Sequence, residues 1–342
     1  MNDRRRRPTL EMVAERAGVG RGTVSRVING SAQVSPATRE AVLRAVADLG
    51  YVPNHAARTL VTQRTDMVAL VVSEPDERLF AQPFFAGIVR GVSSLLNERG
   101  LQMLLATENS AEERQRLGDY LSGHHVDGVL VVSLHRDDPL PERLADAGVP
   151  CVHGGRPLGI TVRHPLHYVD IDNVGGGYVA TRRLIESGRK RVATVAGPQD
   201  MIAGVDRLQG YREAMRDAGR VVPPGFIAAS DFTYERGESA MREILAAVPD
   251  IDAVFVASDL MALAALRVLR ETGRRVPDDV AVVGFDDSAL GLHSDPPLTT
   301  IHQPTVQMGR EMARLLADGL AGTESEPVGI VLDTHLVERE SA

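Results

Sequence analysis

Apolar positions set two rhythms along this chain. Between Thr9 and Gly50 they fall at helical spacing: Met12, Val13 and Ala17 on one stripe, Val24, Val27 and Ile28 on a second, and Val42, Leu43, Val46 and Leu49 on a third. The punctuation around them predicts three helices. Thr9 caps the first and Gly18 breaks it; Ser35 and Pro36 open the third, and Gly50 ends it with Tyr51 and Pro53 beyond. Residues 1–50 thus form an all-α headpiece in which the second helix turns Arg21, Thr23, Ser25 and Arg26 outward.

From Met67 the rhythm changes. Short apolar runs at 67–72, 101–107, 128–133 and 150–154 alternate with helical stretches, one of them from about Pro83 to Arg99. Unbroken apolar runs of this length predict strands of a parallel sheet covered on both faces. A second series begins near His167, with strands at 168–172, 191–197, 226–230, 253–258 and 280–286. Two series predict a bilobed α/β body with two parallel sheets over residues 66–342, and a cleft where the carboxyl ends of the strands face one another. Residues 296–304 are expected to lead back to the first lobe, with a closing helix and strand from about Val306 to Val337. Residues 51–65 have no apolar stripe wide enough to bury and predict a hinge.

Charge sharpens this division. The chain of 342 residues has a net charge of −8, yet residues 1–64 hold eleven Arg and five acids, a net of +6, and the remainder holds 27 basic and 41 acidic residues, a net of −14. A basic head suits nucleic-acid phosphates, while an acidic body resists indiscriminate adhesion to them. Arg supplies 37 of the 38 basic residues, so the run Arg4 to Arg7 reads as a phosphate-grazing arm. No run approaches the roughly eighteen apolar residues of a membrane span, and no apolar segment of an export signal follows the basic start. The expected compartment is the cytoplasm, with no membrane partner. The lone cysteine, Cys151, excludes an internal disulfide and reads as a small strand residue.

A short helix, a glycine and a second helix with outward Arg and hydroxyl side chains suit the major groove, where Arg can donate two hydrogen bonds to a guanine edge. The alternative is an ordinary helical hairpin. The segments TVSRVING, VSPATREAVLRAVADLGYVPN and HAARTL together resemble the DNA-binding headpiece and hinge of the lactose-repressor (LacI) family. Gly20 and Gly22 depart from the family's usual serine and bulkier residue, which leaves the exact bases read open but not the mode of binding. The resemblance implies DNA contacts from Thr9, Arg21, Gly22, Thr23, Ser25, Arg26 and Asn29, and from Asn54, Ala57 and Leu60 of a hinge that folds on DNA and presents Leu60 to the minor groove. It also implies a ligand-controlled transcription regulator, a repressor, bound to a palindromic operator as a homodimer. The body is expected to carry the dimer interface, and the closing residues show no leucine heptad.

Polar and aromatic residues gather at the expected strand ends: Phe84 and Phe85, Arg156, Arg207, Phe232, Ser258, Asp259, Asp286 and Asp287. Carboxylates and guanidinium groups pair with sugar hydroxyls, and an aromatic ring covers the apolar face of a sugar. Each also has a plain structural reading: Asp259 as a helix cap, Phe84 and Phe85 as core. The family resemblance implies effector contacts from Phe85, Arg207, Phe232, Ser258, Asp286 and Gln303, with Ser258 where the family more often has asparagine, and the strand-end residues Phe84 and Arg156 complete the candidate effector site. The stretch AGPQDMIAGVDRLQGYREAM is similar to regulators of cellobiose and other β-glucoside utilisation, which implies a sugar effector of that class.

Enzymatic readings find little support. Gly175, Gly176 and Gly177 lie in a capped helix start and make no dinucleotide fingerprint, and there is no phosphate-binding loop. Asp286 and Asp287 could suggest acid catalysis, but no metal-ligand spacing accompanies them or the adjacent His124 and His125. No enzyme activity, metal or cofactor is expected. The chief alternative is a stand-alone sugar-binding protein, against which the basic head argues.

Overall fold

The computed structural model describes residues 8–28, 33–52, 64–159, 166–322 and 326–342. The chain divides into two compact units, Met1–Thr65 and Asp66–Ala342.

The first unit contains α1 (Leu10–Ala17), α2 (Arg21–Ile28) and α3 (Pro36–Leu49). The Thr9 hydroxyl accepts the Met12 N–H at 3.4 Å, and the Ser35 hydroxyl accepts the Thr38 N–H at 3.3 Å. Gly18 and Gly50 take left-handed backbone, φ 66° and 60°, which lets their N–H groups bond back into the last turn. Val13, Ala14, Val24, Val27, Val42, Ala45 and Tyr51 form the core. Two expectations fail here. Met12 is 41% exposed and Leu43 is 52% exposed, because the buried faces run through Leu10, Val13, Ala14 and Ala17 and through Val42, Ala45, Val46 and Leu49. Each misassigned residue lies one position, about 100° of helical rotation, from its buried neighbour.

The second unit holds two six-stranded sheets. In the first, β1 (Met67–Val72), β2 (Gln102–Thr107), β3 (Gly128–Val132), β4 (Cys151–Gly154), β5 (His167–Ile171) and β11 (Gly329–Leu332) run parallel in the order β11-β5-β4-β3-β1-β2. The second comprises β6 (Val192–Ala196), β7 (Ile227–Ala229), β8 (Ala253–Val256), β9 (Ala281–Asp286), β10 (Thr299–His302) and β12 (His335–Val337), in the order β12-β10-β9-β8-β6-β7. Among the described strands only β12, at the edge, runs antiparallel, against β10. The helices are α4 (Asp76–Ala81), α5 (Pro83–Glu98), α6 (Ala111–Ser122), α7 (Leu140–Asp146), α8 (Asn173–Glu186), α9 (Ile202–Asp217), α10 (Tyr234–Ala247), α11 (Asp259–Glu271), α12 (Ala289–Leu292) and α13 (Thr305–Leu320). Separate apolar clusters cover the two faces of each sheet, as the continuous apolar strands require.

The lobe boundary differs from the sequence reading. Strand β5 does not open the second lobe; it lies between β4 and β11, and its Val169 and Ile171 join the core of the first. The chain crosses only at Asp172, whose carboxylate accepts the Gly175 N–H at 2.8 Å and caps α8 in the second lobe. Likewise Thr299–His302 is still a strand of the second sheet. The chain returns at residues 303–304, places α13 and β11 on the first lobe, and crosses a third time at residues 333–334 to form β12. Periodicity announces a strand; which sheet receives it depends on tertiary pairing.

Within the second lobe, α8 and α9 pack closely because glycine stands at the crossing. A Cβ on Gly210 would overlap the Val174 carbonyl oxygen, and one on Gly177 would overlap the Arg207 carbonyl.

Candidate functional site

On α2, Val24 and Val27 are buried against the other two helices, while Arg21, Gly22 and Arg26 are exposed and Thr23 and Ser25 are half-buried at the same outer surface. Thr9 caps α1. Arg21 lies 3.2 Å from Glu11, an exposed pair that DNA phosphates can readily displace. Asn29, Asn54, Ala57, Leu60 and Arg4 to Arg7 lie outside the described residues.

In the body, the two lobes face each other across a cleft lined by side chains of both. All eight side chains nominated from the sequence line it: Phe84, Phe85, Arg156, Arg207, Phe232, Ser258, Asp286 and Gln303. Their standing differs. Phe85 is only 2% exposed and packs into the first-lobe core, so the half-buried Phe84, edge-on to it at 5.2 Å, offers the larger accessible surface. Ser258 spends its hydroxyl on the Met261 N–H at 3.3 Å as the cap of α11. That role displaces Asp259, which instead accepts the Thr300 hydroxyl at 2.6 Å and the Ser288 N–H at 2.7 Å beneath the site.

Arg207 is the centre of the second-lobe wall. It is 5% exposed, and its guanidinium carbon lies 3.6 Å from the centroid of Phe285 and 5.5 Å from that of Phe232. Nε donates to Asn173 Oδ1 at 2.9 Å, Nη1 to the Ala257 carbonyl at 2.7 Å and Nη2 to Gln303 Oε1 at 3.3 Å. Gln303 in turn donates to Asp286 Oδ1 at 2.6 Å, which lies 3.6 Å from Arg207 Nη1. Burial disfavours charge on both members of this pair: it lowers Arg207 to about 10 against the opposing pull of Asp286, and raises Asp286 against the pull of Arg207. The guanidinium is therefore fixed in orientation before a ligand arrives, with two of its five N–H groups outside this hydrogen-bond set.

Backbone geometry concentrates at the same place. Of six described non-glycine residues with positive φ, Ser133, Phe232, Asp286 and Asp287 stand at strand ends beside the cleft. Holding such residues in left-handed backbone costs roughly 1–3 kcal/mol each, a cost associated with functional sites.

Contacts across the cleft were not visible in the sequence. Arg156, at the end of β4 in the first lobe, donates to both oxygens of Asp206 on α9 in the second, at 2.7 and 2.6 Å, and its N–H meets Asp170 at 3.2 Å. Asp170, Asn173, Ser133, Met201 and Met308 also line the cavity. Asp170 and Asn173 could have been suspected from YVDIDN, where polar residues interrupt an apolar strand end.

A three-helix reading head joined to a two-lobed α/β body with a polar and aromatic cleft defines a DNA-binding transcription regulator. Residues 9–54 match the family model of bacterial regulatory proteins of the lacI family, and residues 181–342 match that of the periplasmic binding protein-like domain. The chain is 66% identical over 339 residues to the HTH-type transcriptional regulator CelR of Thermobifida fusca, with 99% of each covered. It is 34% identical over 336 residues to the HTH-type transcriptional repressor CytR of Escherichia coli K12, covering 97% of this chain and 96% of that one. Among solved structures it is similar to a transcriptional regulator CelR–cellobiose complex, with a TM-score of 0.80, 64% identity and 98% and 100% of the two chains covered. It is also similar to the lac repressor dimer bound to operator and the anti-inducer ONPF, with a TM-score of 0.84, 26% identity and 98% and 99% covered. The chain belongs to the LacI family of bacterial transcription regulators.

Proposed function

We propose that this protein is a cytoplasmic repressor that binds a palindromic operator as a homodimer, and that a β-linked glucose disaccharide, cellobiose or a close relative, sets its operator affinity. Residues 1–50 read the half-site, residues 51–65 form the hinge, and residues 66–342 hold the ligand and the dimer interface. In this reading Arg207, Asp286 and Gln303 bind hydroxyls from the second lobe, while Phe84, Phe85 and Phe232 face the apolar side of the sugar ring. A ligand that touches both lobes favours one closure angle, and closure sets the spacing of the two hinges. A coupling of about 1–3 kcal/mol is sufficient for regulation.

The observation that carries the proposal is the meeting of all eight candidate side chains in one cavity, in a chain 64% identical to a regulator solved with cellobiose. The test is a thermal-shift and calorimetry series with cellobiose, maltose and glucose, followed by operator binding with each. Cellobiose at a hundred times its dissociation constant should add about 2.7 kcal/mol of stability and change operator affinity, while maltose does neither. Absence of any shift with cellobiose and other β-glucosides would remove this effector class.

A further inference from the structure

Outside the cavity, five charged side chains form one network across the mouth of the cleft. Its hub is Glu74, at the end of β1, whose side chain is only 6% exposed. Glu74 accepts from the Ser133 hydroxyl at 3.0 Å, from Arg78 Nη1 at 3.0 Å and from His135 Nε2 at 3.2 Å, all within the first lobe. Each of the two cations then reaches the opposite lobe. Arg78 Nη2 donates to Asp231 beyond β7 at 2.9 Å, and His135 Nδ1 meets Asp200 beyond β6 at 2.8 Å. Asp231 is itself held by the Thr233 N–H and hydroxyl, and the Asp200 carbonyl accepts the Arg136 N–H at 2.8 Å. None of these five residues lines the cavity.

We propose that Glu74, Arg78 and His135 form a two-armed clasp that closes the cleft on Asp200 and Asp231 and sets how long a ligand stays, without touching it. The proposal rests on the cleft being the ligand site. It is distinct from the choice of ligand, since the arms meet the rim and not the interior. A buried hub makes the clasp directional: all three groups that donate to Glu74 belong to the first lobe, so its own lobe holds both cations in place for the second.

The geometry also specifies a protonation state. Both ring nitrogens of His135 face carboxylates, which donate nothing when ionised, so both must carry hydrogen and the ring is an imidazolium. The charged groups facing it are Glu74 and Asp200; Arg136 adjoins it on its own loop and donates Nη2 to the Gln199 carbonyl, while Arg78 and Asp231 act through Glu74. Chiefly the Glu74 hydrogen bond, then that of Asp200, raises His135 to about 9 against the effect of burial. Glu74 stays beside His135 when the lobes part, so only the Asp200 share is linked to closure. A raised histidine stabilises the state that holds it most fully below its ordinary value, and that gain is lost as pH rises through about 9. Closure therefore weakens between pH 7 and pH 10.

The experiment uses the full chain in two arms. In the first, spin labels on Arg116→Cys and Glu243→Cys, exposed positions on the two lobes, report the interlobe distance without ligand. Combining Asp200→Ala with Asp231→Asn should lengthen and broaden the distance distribution; an unchanged distribution would overturn the clasp. In the second, the dissociation rate of cellobiose is followed from pH 7 to pH 10. The wild type should accelerate as pH rises, whereas His135→Gln should be faster at pH 7 and flat across the range. Equal pH profiles for the two would remove His135 from the clasp. If the wild type fails to bind cellobiose while the distance arm responds as expected, the effector assignment fails and the clasp stands.

Discussion

The guanidinium carbon of Arg207 lies over the ring of Phe285, 3.6 Å from its centroid, while the Asp286 that follows Phe285 in sequence faces the same guanidinium from 3.6 Å. One strand end thus supplies both the platform and the counter-ion. Arg207→Ala should abolish the response to the sugar and leave ligand-free operator binding nearly intact, because the reading helix is untouched. It should also destabilise the body by up to about 3–5 kcal/mol, the cost of breaking a buried pair from one side. The loss should shrink as pH falls, because burial pushes the Asp286 carboxyl up and the neutral acid leaves no unpaired buried charge. Calorimetry and melting curves on the same variant separate the two effects; unchanged sugar affinity would remove Arg207 from the site.

His153 on β4 is fully buried, and neither ring nitrogen meets a hydrogen-bonding group of the described protein. Burial lowers it to about 4 from 6.5. A lowered histidine supports the fold above its unfolded value and loses that support as pH falls from about 6.5 towards 4, a difference of about 3 kcal/mol. His153→Leu should flatten the fall of melting temperature between pH 7.5 and pH 4.5. A variant with the same acid sensitivity as the wild type would place the effect elsewhere.

At the crossing of α8 and α9, Gly210 leaves no room for a side chain against the Val174 carbonyl and the Tyr178 N–H. Gly210→Ala should cost about 1–3 kcal/mol through forced separation of the helices, despite alanine's better helix propensity. Denaturant unfolding would detect it, and a stabilised variant would show that the helices part without penalty.

Arg26 is exposed on α2 beside the buried Val24 and Val27. Arg26→Ala should lose about 1–3 kcal/mol on the operator and relax discrimination at one base pair, with little change on random DNA. Equal losses on both would make Arg26 a phosphate contact.

The elements of this fold were legible where a local rule governs them. Thr9, Gly18, Ser35 and Gly50 mark helix ends through their own backbone chemistry, and unbroken apolar runs announce buried parallel strands. The candidate cleft was legible in part for a related reason: in an open parallel sheet, residues just past the strand ends share one side, which brings Arg156, Ser258, Asp286 and Gln303 together, whereas Phe84, Phe85 and Arg207 reach the cleft from α5 and α9. Met12 and Leu43 were misread because a four-residue stripe tolerates a neighbour 100° away. Strand β5 was misread because Val169 and Ile171 suit either lobe's core. The pairing of Arg156 with Asp206 joins residues fifty positions apart, and nothing local to either indicates the other.

The three crossings at residues 172, 303–304 and 333–334 also bear on how this molecule could change its diet. Three crossings tie the lobes more tightly than one would, which favours a hinge swing over free twist and slide. Any occupant wide enough to bridge the gap then produces the same swing. What is recognised and what is transmitted are carried by separate parts, so substitutions among the cleft side chains can retune which ligand is admitted while the machinery that reports its arrival stays as it was.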